Sequence, residues 1–323
     1  MKRFIGLDLG GTNIKAGLVD ETGRVLAEIS SPTQAGQGPD AVVGRMLDLA
    51  RQVAQQGSTS LAEVTAIGIG SPGPIDADNG IVLSAPNMPG WEDYPLRDRV
   101  QEATGRPSFL ENDANAAAFG EFCFGAGKDP AIRHLIMLTL GTGVGGGIII
   151  DGRIVHGGYG LAAEAGHLIV APNGRRCACG QRGCLEAYAS AGAVARQGIE
   201  AVQAGERTIL AQIYAQNGER LSAKDVFTAA YQGDGIAANI IEEATTYLGI
   251  ACVSLCRLLD PQMIVFAGGL ILAGENLFAG VRASFAEHDW TILRSKVAIV
   301  PAQLGNQAGI IGAAAVAMEG VGV

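Results

Sequence analysis

Residues Leu7–Asp20, LDLGGTNIKAGLVD, align without a gap on Leu138–Asp151, LTLGTGVGGGIIID, 131 positions further on. Leu7, Leu9, Gly10 and Asp20 fall on Leu138, Leu140, Gly141 and Asp151. Each copy reads as an apolar strand, a Gly/Thr turn and a second strand. A repeat this far apart is too long for a solenoid, whose period is about 20–50 residues. It predicts two similar domains, each opening with a hairpin. A chain of 323 residues has room for two. No Pro- or Ser-rich linker separates the halves, so they are expected to pack with a cleft between them, a favoured place for small-molecule sites.

The two turns also suggest chemistry. Asp8–Asn13, DLGGTN, and Leu140–Gly147, LGTGVGGG, each offer bare backbone N–H groups and a hydroxyl. Such turns form anion-binding nests, because glycine lets the backbone approach phosphate oxygens. With 23 Lys and Arg against 32 Asp and Glu, the chain carries a net charge of −9. A polyphosphate must then be held by backbone dipoles, Thr hydroxyls and a metal ion rather than by a basic patch. The same balance argues against a nucleic-acid partner and against membrane binding through a basic face. Neither turn fits GxxxxGK[ST] or a strand–GxGxxG–helix unit, since a strand follows each. Glycine, 47 of 323 residues, is about twice its usual 7%. With no G-X-Y period, the excess belongs to tight turns and close backbone approaches.

Short apolar runs at Phe4–Asp8, Ile14–Val19 and Val25–Ser30 predict an antiparallel meander. Asp40 is the expected cap of a helix with Val42, Val43, Met46, Ala50 and Val53 on its apolar face. Strands are expected at Val64–Gly70, Pro107–Leu110, Gln262–Ala267 and Lys296–Pro301. An Ala-rich helix should run from Ala114 to about Phe124, further helices through 190–250, and a small-residue helix over Gln307–Met318. Asp8 interrupts the apolar N-terminus too early for a signal peptide. No run approaches 18 clean apolar residues. The expected compartment is the cytoplasm.

Phe109–Glu121, FLENDANAAAFGE, places Asp113 at a strand-to-helix junction. Two readings stand. Asp is a common N-cap, and a carboxylate there could also be a general base accepting the proton of an attacking hydroxyl.

Gly160–Ser190 holds His167, Cys177, Cys179 and Cys184 in the pattern H-x9-C-x-C-x4-C. Three thiolates and an imidazole make a closed tetrahedral Zn²⁺ site of the structural kind. Arg175, Arg176 and Arg182 are expected to stabilise the thiolates. Glu164, three residues before His167, and Glu186, two past Cys184, would be pinned by the same metal. Two carboxylates and an imidazole suit a polyhydroxylated ligand. Cys123, Cys252 and Cys256 read as core thiols, and His134, His156 and His288 as surface or structural residues.

DLGGTN, ENDANAAA, GTGVGGG, AEAGH and CACGQRGCLE together resemble the ROK (repressor, open reading frame, kinase) sugar kinases of the actin–hexokinase–Hsp70 superfamily, from Asp8 to the last helix. The resemblance implies an α/β fold: two lobes of the actin-like ATPase (ribonuclease H-like) type, with mixed central sheets. It implies a small lobe of residues 1–113 plus about 306–323, and a large lobe of 114–305 carrying the zinc module and a helical insert. The implied reaction is ATP-dependent transfer to a hexose hydroxyl, with Asp113 as base. Asn112, Asp113, Glu164, His167 and Glu186 would bind sugar, His167 through the nitrogen not on zinc. Asp8 would help position Mg²⁺. Gly10, Gly11, Thr12 and Asn13, with Gly141, Thr142 and Gly143, would hold phosphates, and Gly268–Gly269 would contact adenosine. Ser71–Trp91 looks most like the glucokinase branch, which adds Asn87 as a sugar contact and the 6-hydroxyl of glucose as acceptor. N-acetylmannosamine, N-acetylglucosamine and fructose are the alternative sugars, polyphosphate is a lesser donor, and a sugar sensor without turnover is the non-enzymatic alternative. A homodimer is expected.

Overall fold

The computed structural model describes residues 2–85 and 88–323. In chain order, β1 (Arg3–Leu9), β2 (Asn13–Asp20) and β3 (Val25–Pro32) precede α1 (Pro39–Gln56) and β4 (Ala66–Ser71). Three short strands, β5 (Ile75–Asp76), β6 (Ile81–Ser84) and β7 (Glu92–Tyr94), lead to α2 (Leu96–Thr104), β8 (Ser108–Asn112) and α3 (Asp113–Phe124). The second hairpin is β9 (Leu135–Leu140) and β10 (Val144–Ile150), followed by β11 (Arg153–Ile154). Five helices come next: α4 (Glu186–Ala189), α5 (Ala191–Gln203), α6 (Leu210–Asn217), α7 (Ala223–Tyr231) and α8 (Gly235–Leu259). The chain closes with β12 (Met263–Ala267), α9 (Glu275–His288), β13 (Ala298–Pro301) and α10 (Ala308–Gly320).

Two compact units emerge from the packing. The first holds Met1–Arg133, Gly147–Ala163 and Gln303–Val323, and the second holds His134–Gly146 and Glu164–Ala302. This grouping and the expected lobe boundary at Asp113 part company over 114–133 and 147–163, which pack with the first unit.

The sheet of unit one runs β3-β2-β1-β4-β8. The expected meander is its antiparallel half; β4 and β8 add in parallel to β1. Side chains alternate between its faces. Ile5, Leu7 and Leu9 of β1 join Val42, Met46 and Val53 of α1 in one core. Phe4 on the other face packs with Ala314, Ala317 and Met318 of α10. Gly6 and Gly68 lie on this second face, where a Cβ would overlap the carbonyls of Ile310 and Ala313. Helix and sheet meet backbone to backbone there, which accounts for part of the glycine excess.

α1 departs from expectation at its start. Gly38 is the N-cap and Pro39 opens the helix. Asp40 stands in the first turn, and its Oδ1 accepts the Tyr94 hydroxyl at 2.7 Å. Pro at the first position needs no N–H, so the helix begins two residues earlier than the Asp signal implies. The face of Val42, Val43, Met46, Ala50 and Val53 is buried.

In unit two, β12 pairs in parallel with β9 on one side and β13 on the other. α8 is long and apolar enough to cross a membrane by length and composition. It packs against α9, α7, α5 and α4, the placement of a core helix.

Candidate active site

In unit one the site grows from the carboxyl ends of parallel strands. Asp8 pairs with Gly70, and Gly70 pairs with Glu111, so these residues form one row across β1, β4 and β8. Ligands of open α/β sheets bind beyond such ends. Asp8 belongs to the α10 face of β1, and its carboxylate lies against Gly309. Burial raises the pKa of Asp8, an effect partly offset by Lys15. A divalent cation beside Asp8 would favour its charged form.

The turn after β1 is closed by the Gly10 N–H donating to the Asn13 carbonyl at 3.0 Å. Thr33, fully buried, staples it: its Oγ1 donates to the Gly10 carbonyl at 2.5 Å, and its N–H donates to the Thr12 carbonyl at 2.8 Å. Gly11, Thr12 and Asn13 face solvent, with open space beside Gly11. Thr33 had no signal in the sequence beyond its place at the end of a strand.

Across the β8–α3 junction, Asn112 is the N-cap. Its Oδ1 accepts the N–H groups of Ala114 and Asn115 at 3.0 and 3.2 Å. Its Nδ2 donates to the Gly73 carbonyl at 3.2 Å. Asp113 is the first residue of α3 and accepts the Ala114 N–H at 2.8 Å. The capping reading of Asp113 therefore passes to Asn112: its extended backbone aims the amide at the helix N–H groups, as a cap requires. Asn87 lies outside the described residues.

Unit two gathers the remaining expected residues. The Gly141 N–H donates to the Gly143 carbonyl at 3.0 Å, closing the second turn one residue tighter than the first. Gly141 accepts the Ala191 N–H at 2.8 Å at the start of α5. Thr139 Oγ1 accepts the Gly145 N–H at 3.1 Å. Thr142 is exposed. Gly268, with φ of +87°, sits against Leu140 at the end of β9 so closely that a Cβ would crowd its backbone. The segment Gly268–Gly269 and the second turn thus share one edge of the β9/β12 sheet.

His167, Cys177, Cys179 and Cys184 converge, with their ligand atoms all within 4.8 Å of one another. Sγ of Cys179 and Sγ of Cys184 are 3.7 Å apart, and Cys177 Sγ is 3.8 Å from His167 Nδ1. Tetrahedral zinc with Zn–S near 2.3 Å sets sulfurs about 3.8 Å apart. The donor set and its spacing fit that ion. Burial pushes the Cys184 thiol up to about 12 and raises that of Cys177. Cys179 is lowered to about 7, first by the backbone N–H of Gln181. A bound dication would hold all three as thiolates. Of the nearby arginines, Arg175 pairs with Glu200 at 2.7 Å and Arg182 donates to the Gly174 carbonyl at 3.2 Å.

Glu164 is exposed, one turn before His167, whose N–H donates to the Glu164 carbonyl at 3.0 Å. Glu186 links the cysteine cluster to the second turn. Its Oε1 is 3.7 Å from Cys177 Sγ, and its Oε2 accepts the Val144 N–H at 2.9 Å. A side chain at Gly143 would run into this carboxylate. Of the three isolated histidines, His288 Nδ1 meets the Ser284 carbonyl at 2.8 Å. His156, read as surface or structural, is partly exposed and meets the buried Glu111 at 2.7 Å.

The ROK family profile matches residues 4–319. A glucokinase of Thermotoga maritima is 38% identical over 320 residues, covering 99% of this chain and 98% of that protein. A ROK hexokinase structure from Thermus thermophilus superposes with a TM-score of 0.82 at 35% identity, over 99% of both chains. A ROK glucokinase from Streptomyces griseus, solved with glucose and AMPPNP, gives 0.79 at 36% identity, over 98% of this chain and 99% of that one.

Proposed function

The chain belongs to the ROK family, and we propose that it is a glucokinase transferring the γ-phosphoryl group of ATP to the 6-hydroxyl of glucose. The observation that carries this reading is the full-length likeness to a glucokinase solved with glucose and AMPPNP. Its two lobes are the actin-like kind, and we assign residues 1–113 plus about 306–323 to the small one and 114–305 to the large one.

Asp113 accepts the proton of the 6-hydroxyl as that oxygen attacks the γ-phosphorus and the bond to ADP breaks. Asn112, Glu164, His167 and Glu186 bind the sugar hydroxyls, with Asn87 as a further contact. Backbone N–H groups at Gly10–Asn13 and Gly141–Gly143 take the phosphate oxygens, and Gly268–Gly269 borders the adenosine. Mg²⁺, when bound near Asp8, neutralises phosphate charge. Zinc on His167, Cys177, Cys179 and Cys184 is structural, because four protein ligands leave no open position. We place the enzyme in the cytoplasm as a homodimer.

A coupled ADP-release assay over a sugar panel tests the substrate. A site built to pair hydroxyls rejects analogues that leave its polar groups unmatched. Glucose is expected to exceed N-acetylglucosamine, N-acetylmannosamine and fructose in kcat/KM by at least about tenfold, roughly 1.4 kcal/mol of transition-state binding. A preference for an N-acetylated sugar would move the substrate and leave the kinase standing; no turnover with any sugar would point to a sensor. Replacing ATP by polyphosphate in the same assay tests the donor.

Gly11→Ala isolates the first phosphate turn. The methyl enters open space, so stability should stay within about 0.5 kcal/mol. It also stands where phosphate oxygens would approach, so KM for ATP should rise about tenfold, equivalent to ~1.4 kcal/mol. An unchanged KM for ATP would remove this turn from the phosphate site.

A further inference from the structure

We propose that His156 is a positioning residue for phosphoryl transfer: by holding the buried Glu111 carboxylate it fixes the end of β8, and with it Asn112 and Asp113. Glu111 is 2% exposed. A carboxylate so deeply buried must be paired and hydrogen-bonded. Its Oε1 accepts the Asn112 N–H at 2.8 Å and the Asn115 side-chain amide at 3.1 Å. One oxygen therefore ties the last residue of β8 to the first turn of α3, on either side of Asp113. The other oxygen, Oε2, meets His156 Nε2 at 2.7 Å.

His156 comes from a different part of unit one. It follows β11, which hairpins against β10, and Val155 beside it donates to the Ile148 carbonyl at 2.9 Å. The imidazole is 40% exposed and borders a cavity of about 600 Å³. Besides Glu111 on β8, the charged groups on that cavity are Asp78 between β5 and β6, Arg97 on α2, Arg153 on β11 and Glu319 on α10. The hydrogen bond to Glu111 is the largest cause raising the His156 pKa; burial opposes it, and the charges of Glu111, Asp78 and Glu319 add to it. A group with a raised folded pKa contributes fully below its unfolded value, near 6.5, and loses that contribution as pH rises through the folded one. The neutral ring can still donate a hydrogen bond, so the loss is partial.

Displacing a reacting group by about 1 Å can cost about 10²-fold in rate. His156→Ala removes the grip on Glu111, whereas His156→Gln places an amide where Nε2 stood. His156→Ala is expected to lower kcat about tenfold with KM for ATP changed less than about twofold, and His156→Gln to recover most of that loss. Wild-type kcat should show a partial decline on the alkaline side that His156→Gln lacks. The activity readouts rest on the kinase reading. Hydrogen–deuterium exchange does not: amides of 112–115 should exchange several-fold faster in His156→Ala and near the wild-type rate in His156→Gln, with the rest of unit one unchanged. If the wild type phosphorylates no sugar, the kinase reading falls, and the exchange result alone decides whether His156 holds the β8–α3 junction. Should the Ala variant not fold, His156→Asn, too short to reach Glu111, takes its place. Unaltered exchange at 112–115, or Gln and Ala impaired alike, would overturn it.

Discussion

Asp113→Asn is expected to lower kcat by roughly 10²–10⁴-fold, the worth of a positioned general base, while glucose affinity measured by calorimetry changes far less. Three local features make this substitution a clean probe. Asn112 caps α3, so the cap survives. The Asn oxygen can still accept the Ala114 N–H that Asp113 Oδ1 accepts now at 2.8 Å. Volume and shape are kept, so stability should shift by no more than about 0.5 kcal/mol. On the proposed role of Asp113, what is lost is the basicity of a carboxylate at the moment the 6-hydroxyl gives up its proton. An interaction made only in the transition state lowers kcat and kcat/KM together. A variant with near-normal turnover would deny Asp113 the role of base and leave it a structural residue of the first turn.

The same junction shows what a sequence conveys and what it withholds. That a strand ends and a helix begins near Asp113 follows from the run Pro107–Leu110 giving way to an Ala-rich stretch from Ala114 to about Phe124, and the structure places both elements within a residue or two. Which of two adjacent polar residues caps the helix does not follow. Asn and Asp are nearly equal as caps, and backbone angles at Asn112 decide it. The β1–β2–β3 meander is legible because three short apolar runs are separated by Gly- or Asp-containing turns, and β1 and β2 are buried almost throughout. Strands β5 to β7, two to four residues long, are too short to show a period.

Distance along the chain separates the legible part of the site from the rest. The cysteine module was readable because all four ligands lie within 18 residues, His167 to Cys184. Glu111 and His156 are 45 residues apart, and Thr33 and Gly10 are 23 apart. Neither pair has a spacing rule, since each is brought together by sheet and hairpin geometry rather than by a turn. The link from Glu186 to Val144 is of the same kind. It joins the cysteine cluster to the second Gly/Thr turn through one carboxylate, so loss of metal should reach that turn.

Cys179→Ser tests that chain of consequences. Cys179 is exposed, while Cys177 and Cys184 are buried, so a hydroxyl in its place disturbs no packing. Any loss of stability then reports on the metal. Losing one of four ligands should weaken zinc binding by at least about 100-fold, beyond the 10–100-fold typical of an outer-shell partner. At saturating zinc a 100-fold loss of affinity corresponds to about 2.7 kcal/mol of stability, or a fall of roughly 5–10 °C in Tm for a unit of this size. Wild-type protein stripped by a chelator should fall similarly and recover on adding zinc, whereas the variant should recover only in part. Glucose affinity should drop in both, because His167 loses its anchor and Glu186 Oε1 stands 3.7 Å from Cys177 Sγ. KM for ATP should rise as well, through the Glu186–Val144 contact. Metal analysis of purified wild type is expected to give about one zinc per chain. A zinc-free wild-type enzyme with full activity and unchanged Tm would remove the metal from the site and leave the four side chains a thiol-rich turn.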